Sequence, residues 1–273
     1  MRFRSPSGVQ IGSVVEEGGR TFLSGTDGVR VEFVDSQTLA LPDPYELLLP
    51  VEPPEVWCSG VTYERSRDAR VEESGSDVYA RVYEADRPEL FLKDAQCRRT
   101  VGPGRPIAVR SDAAWNVPEP EIGVVLGEGL EIVGYTIGND VSSRDIEGAN
   151  PLYLPQAKVF AGACALGPAV YVPDDWDAPL ELELRIEDVD GSELFSGSVS
   201  TASMKRGFAD LVSWLVRDNP VPPGSVLLTG TGLVPPDAFT LLPGHVVEIH
   251  VAEIGTLRNP VVHASDLLER SSR

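Results

Sequence analysis

Three cysteines and three histidines are all the chain holds of either residue, and each shortage excludes chemistry. Cys58, Cys97 and Cys164 are scattered without metal-ligand spacing. Their odd number argues against a disulfide framework and fits a reducing cytoplasm. His245, His250 and His263 lie far along the chain and form no metal pair. With no GxSxG elbow and no Cys and His arrangement, a triad hydrolase is disfavoured. Basic residues are also short, 23 Lys and Arg against 42 Asp and Glu, for a formal charge of −19. No Lys/Arg cluster relieves it, so neither nucleic acid nor an anionic membrane is an expected partner. No apolar run approaches the ~18 residues needed to span a bilayer. The opening MRFRSPSGVQ lacks the apolar core of a signal peptide. Internal repeats and low-complexity tracts are absent, and the expectation is a cytoplasmic protein.

What remains is a 273-residue chain with 42% hydrophobic residues, enough to bury a substantial core. Short β-type runs, Val9 to Val15 and Val29 to Phe33, are broken by glycine pairs and Asp-Gly. They predict a small β-rich N-terminal domain, residues 1–53, closed by the linker Leu49 to Pro54, LPVEPP, which can continue neither a helix nor a central strand. Residues 54–273 then form the larger domain. Val56 to Val61 and Glu89 to Lys93 read as strands, and Val101 to Arg105 as a turn. The charged stretch Tyr63 to Glu84 has helical composition broken at Ser74 to Ser76, and fits either a solvated surface helix or a mobile cover over a site. Leu180, Leu182, Leu184 and Ile186 alternate with charged residues, and Asp190-Gly191 turns that strand into Leu194 to Val199. Phe208, Leu211, Val212 and Leu215 recur at helical spacing until Pro220 and Pro222. Ser225 to Leu228 and the alternating Val247, Ile249 and Val251 are further strands. The chain is therefore expected to be α+β, mainly β.

The stretch from Val117 to Pro168 is the most informative. Glu119 and Glu121 stand two apart ahead of Ile122 to Leu126 and so share a face of a strand. Leu130 to Gly138 reads as a second strand ending in Asn139 and Asp140. A hairpin centred on Gly127, Glu128 and Gly129 would set Glu119 against Gly138 and Glu121 against Thr136, with Asp140 on the same face. Three close carboxylates repel one another unless a cation neutralises them or some take up protons. With only oxygen donors, Mg²⁺, Mn²⁺ or Ca²⁺ suits the set better than zinc. A hairpin carrying solvated acids accounts for the same spacing equally well.

Other motifs are individually weak. Thr229 to Gly232, TGTG, offers free amides that would cradle a carboxylate or oxyanion beside the Thr231 hydroxyl. A tight turn is the simpler account, and neither a P-loop nor a dinucleotide fingerprint is present. Ser142 to Glu147, SSRDIE, looks like a helical turn capped by Ser142 that would hold Arg144 and Glu147 near the acids. Lys158 lies between Pro155 and Ala161, in a setting where it would pair with an anion or act as a base.

Together these elements carry a resemblance. EPE, GYTIGNDVSSRD and LPQAK stand in the order and spacing of the fumarylacetoacetate hydrolase superfamily, which the chain resembles from about Glu55 to Val262. The resemblance implies a rolled mixed β-sheet and assembly as a homodimer or homotetramer. It implies Glu119, Glu121 and Asp140 as Mg²⁺ ligands, with Mn²⁺ or Ca²⁺ as substitutes. It also implies Lys158 and Thr231 on the substrate, a small 2-oxo acid, with Arg144 and Glu147 lining the pocket. Hydrolytic members carry a water-activating His in a motif like NYxxH, where this chain has Thr62, Tyr63, Glu64, Arg65 and Ser66. TYERSRDARVEES, NDVSSRDIEG and NPLYLPQAK instead look like the 2-keto-3-deoxy sugar acid dehydratase branch. Likeness to that branch implies dehydration of 2-keto-3-deoxy-D-arabinonate to 2,5-dioxopentanoate through a metal-stabilised enolate, with Lys158 or Glu147 moving the C3 proton. Acylpyruvate hydrolysis and oxaloacetate decarboxylation are the alternatives.

Overall fold

The computed structural model describes residues 1–74 and 77–271. Its architecture is α+β and mainly β, as expected: among the described residues, two five-stranded sheets, one of seven strands and one two-stranded ribbon, with short helices at their margins. The N-terminal sheet is antiparallel throughout, in the order Arg30–Glu32, Arg20–Gly25, Gly8–Glu17, Arg2–Ser5 and Glu46–Leu47. Phe3, Leu23, Phe33 and Leu39 fill its core. Residues 48–54 are neither helix nor strand, since Pro50, Pro53 and Pro54 deny the backbone ladder donors there.

The seven-stranded sheet is mixed. Its order is Glu89–Ala95, Glu55–Gly60, Val226–Leu228, Pro120–Leu126, Ile132–Asp140, Cys164–Tyr171 and Thr100–Val101. Val226–Leu228 runs parallel to Glu55–Gly60, and Thr100–Val101 parallel to Cys164–Tyr171. Lys93 on the first strand contacts Asp140 on the fifth, which a flat sheet could not achieve. The sheet is rolled. Its interior is narrow near Gly138, where a Cβ would overlap the Leu228 side chain. Glycine there lets the rolled strands close.

Against the other face lies the sheet of Glu193–Ser200, Glu181–Glu187, Val246–Val251, Gly255–His263 and Ile107–Val109. Leu182, Leu184 and Ile186 point inward at alternate positions to meet Ile122, Val124 and Ile137, while Glu181, Glu183 and Arg185 stay exposed, as period-two alternation requires. The helix Phe208–Leu215 adds Leu211 and Leu215 to this core. Both faces of Pro120–Leu126 are covered, so all seven of its residues are buried.

The charged stretch after Tyr63 forms the helices Glu64–Ser74 and Val78–Glu84. Of the interruption expected at Ser74 to Ser76, Gly75 and Ser76 lie outside the described residues. This segment is tied to the body of the protein: the Lys205 amide donates to the Thr62 carbonyl at 2.9 Å, and the Lys205 ammonium donates to the Tyr83 carbonyl and reaches Glu84 at 3.1 Å. Among the described residues no helix is long and apolar enough to cross a membrane.

Candidate active site

The hairpin of Pro120–Leu126 and Ile132–Asp140 sets out the acids. Its register differs from the expected one by two residues: Glu121 faces Gly138, not Thr136, and the Asp140 amide donates to the Glu119 carbonyl at 3.0 Å. The cause is an irregularity between Val125 and Leu126 together with a wider turn, in which the Gly127 amide donates to the Glu131 carbonyl at 2.8 Å. A slip of two leaves the facing of every side chain unchanged. Glu119, Glu121 and Asp140 still converge, each buried, with one carboxylate oxygen from each lying within 4.8 Å of the others.

So close a set of buried acids is electrostatically costly. Burial, followed by the neighbouring charges of Asp140 and Glu119, pushes the Glu121 carboxyl well above the ordinary carboxylate range. Lys158 and the Gly230 amide, which donates to Glu121 Oε2 at 2.6 Å, act in the opposite direction. Lys158 ends the short helix Leu154–Lys158, and its ammonium lies 2.6 Å from Glu119 Oε2 and 2.9 Å from Asp140 Oδ2. Arg144 Nε stands 3.4 Å from Glu119 Oε1. A third cation, Lys93, contacts Asp140 Oδ1 and donates to the Val141 carbonyl at 3.0 Å. A hard divalent ion fits this donor set: three buried carboxylates, all oxygen, drawn close enough to share one cation.

Arg144 and Glu147 are three apart on the helix Arg144–Ala149 and are both buried, consistent with the shared face of that spacing. The expected Ser142 cap is not formed. Ser142–Ser143 is instead a short strand paired with Asn116–Val117, and the Ser142 hydroxyl donates back to the Asp140 carbonyl at 2.9 Å. Pairing with a distant strand has displaced the local cap. In TGTG the protein itself engages part of the polar groups. Gly230, at φ +92°, spends its amide on Glu121 rather than leaving it to a ligand. Thr231 bonds locally, its hydroxyl within 3.2 Å of both the Leu233 amide and carbonyl.

One cavity gathers most of the expected residues. Glu119, Glu121, Asp140, Glu147, Lys158 and Thr231 line it together with Ser59, Gly60, Val61, Ser66, Glu89, Phe91, Leu154 and Gly230. Arg144 is not one of its walls. Ser66 occupies the position that a water-activating His would hold in the hydrolytic pattern, and among the described residues no histidine lines the cavity. Glu89 and Lys93 are additions that no sequence motif singles out. Their signal is nonetheless present in ELFLK, because Glu89, Phe91 and Lys93 alternate on a strand as Glu119 and Glu121 do.

The comparisons with known proteins agree with this geometry. A model of the fumarylacetoacetate (FAA) hydrolase C-terminal family matches residues 55–262. The chain is 52% identical over 215 residues to the probable 2-keto-3-deoxyxylonate dehydratase of Haloferax volcanii, covering 78% of this chain and 74% of that one. It is 44% identical over 243 residues to the 2-dehydro-3-deoxy-D-arabinonate dehydratase of Saccharolobus solfataricus, covering 86% of this chain and 81% of that one. Among solved structures, 2-keto-3-deoxy-D-arabinonate dehydratase complexed with magnesium and 2,5-dioxopentanoate superposes with a TM-score of 0.82 at 37% identity, covering 96% of this chain and 98% of that one.

Proposed function

The chain belongs to the fumarylacetoacetate hydrolase family, and from that membership we propose that it is a Mg²⁺-dependent hydro-lyase of a 2-keto-3-deoxy sugar acid, converting 2-keto-3-deoxy-D-arabinonate to 2,5-dioxopentanoate. The observation that carries the reading is the buried set of Glu119, Glu121 and Asp140, which shares one cavity with Lys158 and Glu147. The dehydratase names of two relatives and the magnesium and 2,5-dioxopentanoate of a structural neighbour support it.

Glu119, Glu121 and Asp140 would hold the ion, whose charge favours the enolate form of a 2-oxo acid. Lys158 and Glu147 divide the proton work, one taking the C3 proton and the other protonating the C4 hydroxyl as it departs as water. Proton shifts from C5 to C3 and from the C5 hydroxyl to C4 then turn the remaining enone into 2,5-dioxopentanoate. Thr231 orients the substrate in the cavity, and Arg144 acts beside Glu119. Hydrolysis would require a group that activates water, and Ser66 is a poor base for it. As part of the same reading the enzyme is a cytoplasmic homodimer or homotetramer, in which residues 1–53 form a small N-terminal domain.

The test is incubation with 2-keto-3-deoxy-D-arabinonate, with Mg²⁺ or with EDTA, followed by NMR. Mg²⁺-dependent appearance of 2,5-dioxopentanoate is expected. Inertness toward this acid alongside turnover of an acylpyruvate or oxaloacetate would replace the reading.

A further inference from the structure

Lys93 is a lysine with no solvent exposure, set in the strand Glu89–Ala95. Burying an ammonium is costly unless it is paired and hydrogen-bonded. Its partners are Asp140 Oδ1 and the carbonyl of Val141, the next residue, at 3.0 Å. Both contacts fall at the end of one strand, on a residue of the acidic set and its neighbour. Glu89 and Phe91 line the cavity, but Lys93 does not.

The two oxygens of Asp140 are thus divided between two lysines of different standing. Oδ2 is 2.9 Å from Lys158, which is itself a cavity wall, whereas Oδ1 forms an ion pair with Lys93. Anything entering the cavity meets Lys158 beside Oδ2. Lys93 lies out of reach.

We infer that Lys93 is a positioning residue for Asp140: by holding Oδ1 in the interior, it presents Oδ2 alone to a divalent ion. The inference rests on the metal reading given above. Groups that bond the ligands of a metal site fix their orientation, and their loss costs about 10- to 100-fold in metal affinity or activity. The sign of the effect separates positioning from simple electrostatics. Lys93 is a positive charge beside the acids, so removing that charge alone would strengthen the site's pull on a cation. Losing the grip on Oδ1 would weaken binding instead.

The test is Mn²⁺ affinity, measured by EPR or calorimetry, for the wild-type protein and Lys93→Met at one pH, with thermal unfolding as a check on folding. A dissociation constant raised about 10- to 100-fold in a folded Lys93→Met protein is expected. Equal or tighter binding overturns the inference and leaves the metal reading intact. A wild-type protein that takes up no Mn²⁺ overturns both. Should Lys93→Met fail to fold, crystals of the wild-type protein soaked in Mn²⁺ provide a second measurement. Asp140 meeting the ion through Oδ2 with Lys93 still on Oδ1 is expected, and Oδ1 on the ion, or Lys93 detached from Asp140, overturns the inference.

Discussion

Glu119 and Asp140 stand across from one another where two strands of a hairpin end, joined by the Asp140 amide donating to the Glu119 carbonyl at 3.0 Å. Their side chains are clasped by one ammonium, Lys158, at 2.6 and 2.9 Å. Backbone pairing thus fixes the separation of two like charges, and a lysine from another element offsets their repulsion. Glu121, two residues beyond Glu119, is secured separately by the Gly230 amide. Glu119 and Asp140 share one clasp while Glu121 has its own, so Glu121 can be perturbed alone.

Lys158→Met should cut turnover by about 10²- to 10⁴-fold, the usual scale for losing a general acid or base. The substitution roughly keeps the length of the side chain and removes its charge. Mn²⁺ should still bind, because Glu119, Glu121 and Asp140 remain. Steady-state kinetics alongside a Mn²⁺ titration checks this. Unchanged kcat with bound Mn²⁺ would remove Lys158 from the chemistry.

Glu121→Gln should trade function for stability. Burial, Asp140 and Glu119 all push this carboxyl upward, so its charged form is an unfavourable presence in the fold. Glutamine removes the charge and can still accept the Gly230 amide. Thermal unfolding in EDTA at pH 7.5 should move to a higher temperature than wild type, while Mn²⁺ binding is lost. A lower unfolding temperature in EDTA would mean that repulsion among the acids is not what limits stability there.

The facing of the acids is legible in the sequence, since spacings of two in strands need no tertiary information. Their register is not, because it depends on the irregularity at Val125 and Leu126 and on the width of the turn beyond it. The local pattern at Ser142 permits a cap, and pairing with Asn116–Val117 overrides it. The alternation in ELFLK is visible in the sequence, but the burial of Lys93 is not, for a related reason. Nothing local marks a strand lysine as buried, and its burial comes from the rolling of the sheet, a property of strands far apart in sequence. The family motifs cover the acids and Lys158, but not Lys93.

Gly230→Ala should destabilise the protein and its metal site together. At φ +92° a side chain is strained, and a Cβ there would overlap Thr62 Oγ1 and lie 2.9 Å from the Ser59 carbonyl. Strain of this kind costs about 1–3 kcal/mol, before the overlap is relieved by moving the amide that holds Glu121. Gly207→Ala is the control, because nothing lies within 4 Å of a Cβ at that position. Urea unfolding should show a clear loss for the first and little for the second. Equal losses would show that the Gly230 conformation is not specially demanding.

Cys58 and Cys164 are buried free thiols on opposite parts of the rolled sheet. Burial is the largest influence on each and pushes both upward, Cys164 from an ordinary value of 9.0 to about 12. Below pH 9 both the folded and unfolded states keep the Cys164 proton, so the thiol adds no pH dependence. Above it the unfolded chain loses the proton first, and folding stability should fall by about 1.4 kcal/mol per pH unit on account of this group. The fall ends as the pH passes the folded value. Two measurements check this. At pH 8.5 the two thiols should resist a thiol-reactive dye in the native protein and react in guanidinium. Between pH 9 and 11 urea unfolding should weaken more steeply in wild type than in Cys164→Ala. Parallel pH profiles for the two proteins would show that ionisation of this thiol is not linked to folding.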